Sequence, residues 1–138
     1  MTVYLDHTIV HAEDSEATAR FLSEILGLPP HRNLAHFTIV QVGETSLDLL
    51  ETSAPISPRH FAFRVSEAEF DEIFGRIRER GLDYWADPFR QQPGEINRWD
   101  DGRGVYFNDP NGHLLEVITR SYGSGGLAAE HPNPLLTG

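Results

Sequence analysis

A chain of 138 residues is one domain's worth of sequence, or two small modules sharing a core. With 21 acidic against 11 basic residues and a net charge of −10, it has no basic stripe for a phosphate backbone, so no nucleic-acid partner is expected. Its hydrophobic content of 39%, with 8 Phe, suffices for a core, no apolar run reaches the roughly 20 residues of a membrane span, and the absence of cysteine excludes disulfides and thiolate chemistry by the chain itself.

The first residues, Met-Thr-Val-Tyr-Leu-Asp, show neither a basic start nor an apolar h-region, so a cytoplasmic protein is expected. Residues 4–11 alternate as a strand, with Leu5, His7, Ile9 and His11 on one face and Tyr4, Asp6, Thr8 and Val10 on the other. Asp14 then suits the cap of a helix whose apolar stripe is Ala17, Phe21, Leu22, Ile25 and Leu26. Pro29-Pro30 forbids its continuation. Residues 35–42 and 45–51 read as strands joined by a tight turn at Gly43-Glu44, and 52–58 has a linker's composition.

The order then restarts. A strand over 59–65 is followed by Ser66-Glu-Ala-Glu69, a capping box, and by the stripe Phe70, Ile73, Phe74, Ile77 up to Arg80-Gly81. A short strand near 82–86, a long loop over 87–104 and strands at 104–108 and 113–120 complete the second half. Asp109-Pro-Asn-Gly112 between the last two suits a type I turn. The tail 121–138 carries no core of its own, and the expectation is that it is mobile or laid over a partner. The fold predicted is α+β: two paired βαβββ modules, residues 1–53 and 54–120, forming a curled mixed sheet around a shared cavity, with the tail appended.

Strand parity assigns faces. Phe61, Phe63 and Val65 belong under the helix, which turns His60, Ala62 and Arg64 inward; Leu115 and Val117 likewise turn Glu116 inward, and Leu47 and Leu49 turn Asp48 inward. With His7, four polar positions at matched places of the duplication face in. Imidazole and carboxylate suit Zn, Mn, Fe, Co or Ni, and two His with one carboxylate leave coordination positions open for substrate or water. Taken singly, each is more often a satisfied core or surface residue. Together they point to a metal site, since a Glu in an apolar strand is costly without a cation. His11 lies roughly 13 Å along the strand from His7, too far to share the ion.

The chain is identified on these residues as resembling the vicinal-oxygen-chelate superfamily, which includes glyoxalase I, fosfomycin-resistance proteins, extradiol dioxygenases, methylmalonyl-CoA epimerase and bleomycin-binding proteins. The resemblance covers residues 4 to about 120. It rests on Leu5-Asp-His-Thr-Ile-Val10, on Phe21 with Leu26-Gly-Leu28, on His60-Phe-Ala-Phe63, and on Val105-Tyr-Phe-Asn-Asp-Pro-Asn-Gly-His-Leu-Leu-Glu116. The last stretch is the most specific. The resemblance implies paired βαβββ modules, metal ligands at His7, His60 and Glu116, and a substrate that chelates the ion through neighbouring oxygens, so that an oxyanion is stabilised. Asp48 stands where glyoxalase I-like members have a fourth ligand, a Glu; here it is assigned as fourth ligand or base. The loop 87–104 does not match the lysine- and serine-bearing cation loop of the fosfomycin transferases.

The function expected is therefore a divalent-metal enzyme of lyase, isomerase, thiol-transferase or extradiol oxygen-cleaving type, its ion Zn, Ni, Mn or Fe(II). The alternative is a sequestering protein of the bleomycin-resistance type. Asp48 and Glu116 are the candidate catalytic residues, and Arg64, Trp99 and Tyr106 the candidate substrate contacts, Arg64 for an anionic group and Trp99 within a lid formed by the long loop. His113 and His131 are expected at the surface. The partners expected are a small-molecule substrate and a second copy in a homodimer, with no membrane.

Overall fold

The computed structural model describes residues 2–136. Its elements run β1 (His7–Ala12), α1 (Ser15–Leu26), β2 (Arg32–Leu34), β3 (Phe37–Val42), β4 (Thr45–Glu51), β5 (His60–Arg64), α2 (Glu67–Glu79), β6 (Tyr84–Trp85), β7 (Gly104–Asn108) and β8 (Leu114–Ile118). They fall into two compact units. Unit 1 holds the residues up to Pro58 together with Asp109–Gly112; unit 2 holds Arg59–Asn108 and the residues from His113 on. Among the described residues each unit has one α-helix and a four-stranded mixed sheet, the α+β class expected, and no helix is long and apolar enough to cross a membrane.

In unit 1 the sheet order is β1-β4-β3-β2, with β1 parallel to β4 and the other pairs antiparallel. Asp14 caps α1 as its sequence position suggests, accepting from the Ala17 N–H at 3.0 Å, and Gly27 ends it in the left-handed region at φ 71°. The helix buries Ala19, Leu22 and Ile25, and the sheet buries Val10, Ala12, Val40, Leu47 and Leu49. Thr38 marks which sheet face meets α1, because its hydroxyl donates to Ser15 Oγ at 3.0 Å. The cross-strand partners Thr38↔Leu49 and Val40↔Leu47 share that face. His7, Ile9 and His11 lie on the opposite face and are exposed. Asn111 explains why the β7–β8 turn groups with this unit: it accepts from the Glu13 N–H at 2.9 Å and donates to Thr18 Oγ1 at 3.0 Å. The turn itself closes with Gly112 N–H to the Asp109 carbonyl at 3.2 Å.

Unit 2 repeats the order as β5-β8-β7-β6, with β5 parallel to β8. The capping box is formed in both directions, Glu69 N–H to Ser66 Oγ at 3.1 Å and Ser66 N–H to Glu69 Oε1 at 2.8 Å. Phe70, Ile73 and Ile77 of α2 are buried, and so are Val105, Phe107, Leu115 and Val117 of the sheet. Arg103 secures the start of α2: its guanidinium lies 4.4 Å over the Phe70 ring and pairs with Glu67 and Asp71 at 2.8 Å each.

Three sequence expectations need correction. The strand predicted over 35–42 begins only at Phe37, because Ala35 at φ 54° starts a turn, and a further strand, β2, precedes that turn. The three residues of β2 are all exposed, so no alternation announces them. His113 is buried rather than superficial: Nδ1 accepts from the Arg59 N–H at 2.9 Å, and the ring meets Phe61 edge-on at 6.2 Å. The loop 87–104 is no loose lid, since the buried Asp87 carboxylate accepts backbone N–H groups of Phe89, Gln91 and Gln92 at 2.8–3.2 Å. Asn97 ties its far end to the Ala86 carbonyl at 2.8 Å.

Candidate metal site

Glu116 sits in the middle of β8, with Ala62 of β5 and Tyr106 of β7 as its cross-strand partners. Since Leu115 and Val117 take the α2 side, these three residues belong to the other face, as parity predicted. Glu116 is 0% exposed. A carboxylate there has lost its water and must find donors or a cation. Oε1 lies 3.1 Å from His60 Nε2, and Oε2 accepts from the Tyr122 hydroxyl. Tyr106 in turn meets the Tyr122 oxygen. Because the Tyr122 proton is committed to Glu116, Tyr106 is the donor in that pair.

His60 is oriented from behind. Its Nδ1–H donates to the Leu114 carbonyl at 2.9 Å, and its ring stacks with Tyr106 at 6.0 Å and 24°. A neutral ring donating through Nδ1 presents Nε2 as an acceptor, and the Glu116 oxygen opposite is an acceptor too. Two acceptors facing each other at 3.1 Å want a shared cation or proton. The donor set therefore fits a divalent ion: one imidazole nitrogen and one carboxylate oxygen side by side, the imidazole held by a hydrogen bond on its other nitrogen.

Unit 1 brings His7 and Asp48. His7 is exposed, and its Nδ1 lies 2.7 Å from Asp6 Oδ2. That hydrogen bond, followed by the charge of Asp48, raises the imidazole above its ordinary pKa. It also aims Nε2 away from Asp6. Asp48 is half-buried beside its cross-strand partner Ile9 and accepts from Ser46 Oγ at 2.8 Å. Among the described residues of either unit taken by itself, no three His, Cys, Asp or Glu side chains gather closely enough to hold a metal ion. Unit 2 contributes a pair, His60 and Glu116.

The other candidates are placed less simply. Arg64 is exposed on the His60 face and donates to the Ser121 hydroxyl at 2.8 Å, so its partner is neither an acid nor free solvent. Trp99 is half-buried, edge-on to Tyr106 at 6.1 Å and to Tyr122 at 6.0 Å. Tyr106 is 1% exposed, and burial raises its phenol far above the ordinary value, so it stays a neutral donor. Sequence reasoning missed Tyr122 altogether and misjudged the tail, whose residues 123–131 are bonded to Asp100 and Asp101 of unit 2, while 137 and 138 lie outside the described residues. The one usable signal was chemical: a Glu in an apolar strand needs a donor, and the chain offers a tyrosine six residues later.

The Glyoxalase/Bleomycin resistance protein/Dioxygenase superfamily model matches residues 4–117. Among solved structures, the oxidase ChaP-H1 is 58% identical, with a TM-score of 0.87, covering 89% of this chain and 100% of that one. The glutathione transferase FosA of Serratia marcescens is 28% identical over 120 residues, 82% of this chain and 78% of that protein. The metallothiol transferase FosB of Shouchella clausii (strain KSM-K16) is 40% identical over 60 residues, and the matched stretch spans 44% of this chain and 37% of FosB. This chain belongs to the glyoxalase, bleomycin-resistance and dioxygenase superfamily, as one of its metal-dependent enzymes.

Proposed function

We propose that the chain is an oxidative enzyme of the superfamily, using a redox-capable divalent ion, Fe(II) in the first instance, on a small substrate that chelates through neighbouring oxygens. The observation that carries this reading is the 58% identity with the oxidase ChaP-H1 along that chain's whole length. The similarity to the transferases is lower or covers less of the chain, and the loop 87–104 holds neither lysine nor serine for their cation site.

In this reading His7, His60 and Glu116 hold the ion, a two-histidine, one-carboxylate set that suits non-haem Fe(II) and leaves positions open. The ion supplies electron transfer and charge stabilisation for a bound oxyanion. The chain's own groups set the stage. The Leu114 carbonyl fixes the His60 ring, and Asp6 does the same for His7. Asp48, held by Ser46, is the base that takes a substrate hydroxyl proton, and Arg64 faces an anionic substrate group. Oxygen uptake tests this directly. Fe(II)-loaded protein should consume dioxygen with catechol-type chelating probes, and His60→Ala should not. Thiol addition to an epoxide in place of oxygen uptake would favour the transferase reading.

We also propose a homodimer. β1 is an edge strand of its sheet, and the exposed Val3, Tyr4, Leu5 and Ile9 lie on or beside it. Light scattering should give twice the monomer mass; a strict monomer would refute it.

A further inference from the structure

The chain does not stop where the family match does, at residue 117. The residues that follow, up to 136, fold back over the open face of the unit 2 sheet, and they are held there by specific bonds. Asp100 is 1% exposed and sits in the left-handed region at φ 61°. Its Oδ2 accepts from the Gly123 N–H and its Oδ1 from the Gly125 N–H, each at 3.1 Å. Gly125 passes so close that a Cβ there would meet Asp100 Cα at 3.0 Å. Arg64 fixes Ser121 from the other side at 2.8 Å, and Trp99 supports the Tyr122 ring at 6.0 Å. Tyr122 is thereby clamped between two anchored residues, and its hydroxyl rests on Glu116 Oε2.

We propose that Tyr122 is a positioning residue for Glu116: by occupying Oε2 it makes the carboxylate a one-oxygen ligand, presenting only Oε1 beside His60 Nε2. The inference deepens the metal reading above and rests on it. A buried carboxylate free at both oxygens can swing or bind an ion through both. With one oxygen saturated by a phenol and the other facing an imidazole, it can do neither, and one more coordination position stays open for a chelating substrate. The relay gives the phenol no alternative, because Tyr106 donates to it and leaves its own proton for Glu116. Asp100 acts one step further out, as the latch that places the tyrosine.

Co(II) titration of the full chain tests this, with affinity from chelator competition and coordination from visible absorption. Tyr122→Phe keeps the ring and loses only the hydroxyl. It should weaken Co(II) binding by about tenfold, the usual cost of losing a ligand's hydrogen-bond partner, and should change the absorption envelope as Oε2 becomes available. Asp100→Asn should shift both readouts the same way, and adding Tyr122→Phe to it should cost little more, because both act through one contact. A Tyr122→Phe protein with wild-type affinity and a superimposable spectrum would overturn the proposal, as would a loss of thermal stability without change in either readout. Failure of the wild-type chain to bind Co(II) would instead remove the metal reading, and this proposal with it.

Discussion

Units 1 and 2 share an element order and a strand order, yet they treat their polar residues in opposite ways. In unit 1, His7 stands exposed with Asp6 as its partner, and Asp48 is half-buried beside Ser46. In unit 2, Glu116 is sealed beneath Tyr122, and that tyrosine is latched by Asp100 and flanked by the Arg64–Ser121 bond. Duplication supplies matched polar positions on two sheets. The segment leaving each sheet then decides the surroundings: a Pro- and Ser-containing linker after β4, a folded-back tail after β8. A polar side chain's position and its protonic environment are therefore separate inheritances.

The largest effects should come from the cores that both units need. Phe70→Ala in α2 should cost about 3–5 kcal/mol and Leu49→Ala in β4 about 2–5 kcal/mol, read from urea unfolding midpoints. Both side chains are fully buried, so losses below about 1 kcal/mol would show that the sites collapse far more readily than close packing allows.

These cores were legible in the sequence because they are periodic. The stripes along α1 and α2, the caps at Asp14 and Ser66 and the turn at Asp109–Gly112 all rest on contacts a few residues apart. Parity on β5 and β8 also put His60 and Glu116 on one face. The features that could not be read depend on distant partners or on too few residues. β2 is three exposed residues with no alternation to betray it. His113 is buried because a backbone N–H from Arg59 claims its ring. Tyr122 lies in a Gly-rich segment with no period, placed by an aspartate 22 residues earlier whose left-handed backbone no composition rule foretells.

The contrast between the exposed His7 and the sealed Glu116 predicts smaller changes at His7. Asp6→Asn removes the charged partner of His7 Nδ1 and should weaken metal binding by about tenfold, measured by chelator competition. No change would mean that His7 needs no orienting partner. The helix starts sharpen the comparison further. Ser66→Ala and Asp14→Ala should each cost about 1 kcal/mol, because each removes one side-chain acceptor, whereas the double change Ser66→Ala with Glu69→Ala removes both hydrogen bonds of the unit 2 box and should cost more. A double change no costlier than Ser66→Ala alone would show that the reciprocal Glu69 contact adds nothing.

The smallest effect concerns pH. Glu67 accepts from Thr119 and pairs with Arg103, which together hold its carboxyl below the ordinary 4.5. A carboxyl depressed in the folded state adds stability above 4.5 and loses it as pH falls through the lowered value. Glu67→Gln should therefore lower the melting temperature modestly at neutral pH and change it little well below pH 4.5, which flattens the acid limb between. An unchanged acid limb would show that other carboxylates carry it. The effect is modest because Glu67 is 59% exposed.

The metal content of protein purified without chelators bears most directly on the centre of the account. Wild-type chain should carry about one equivalent of a divalent ion, and His60→Ala, which removes a ligand rather than its support, less than about a tenth of one. Equal content in the two proteins would contradict the assignment of His60 and Glu116 as ligands.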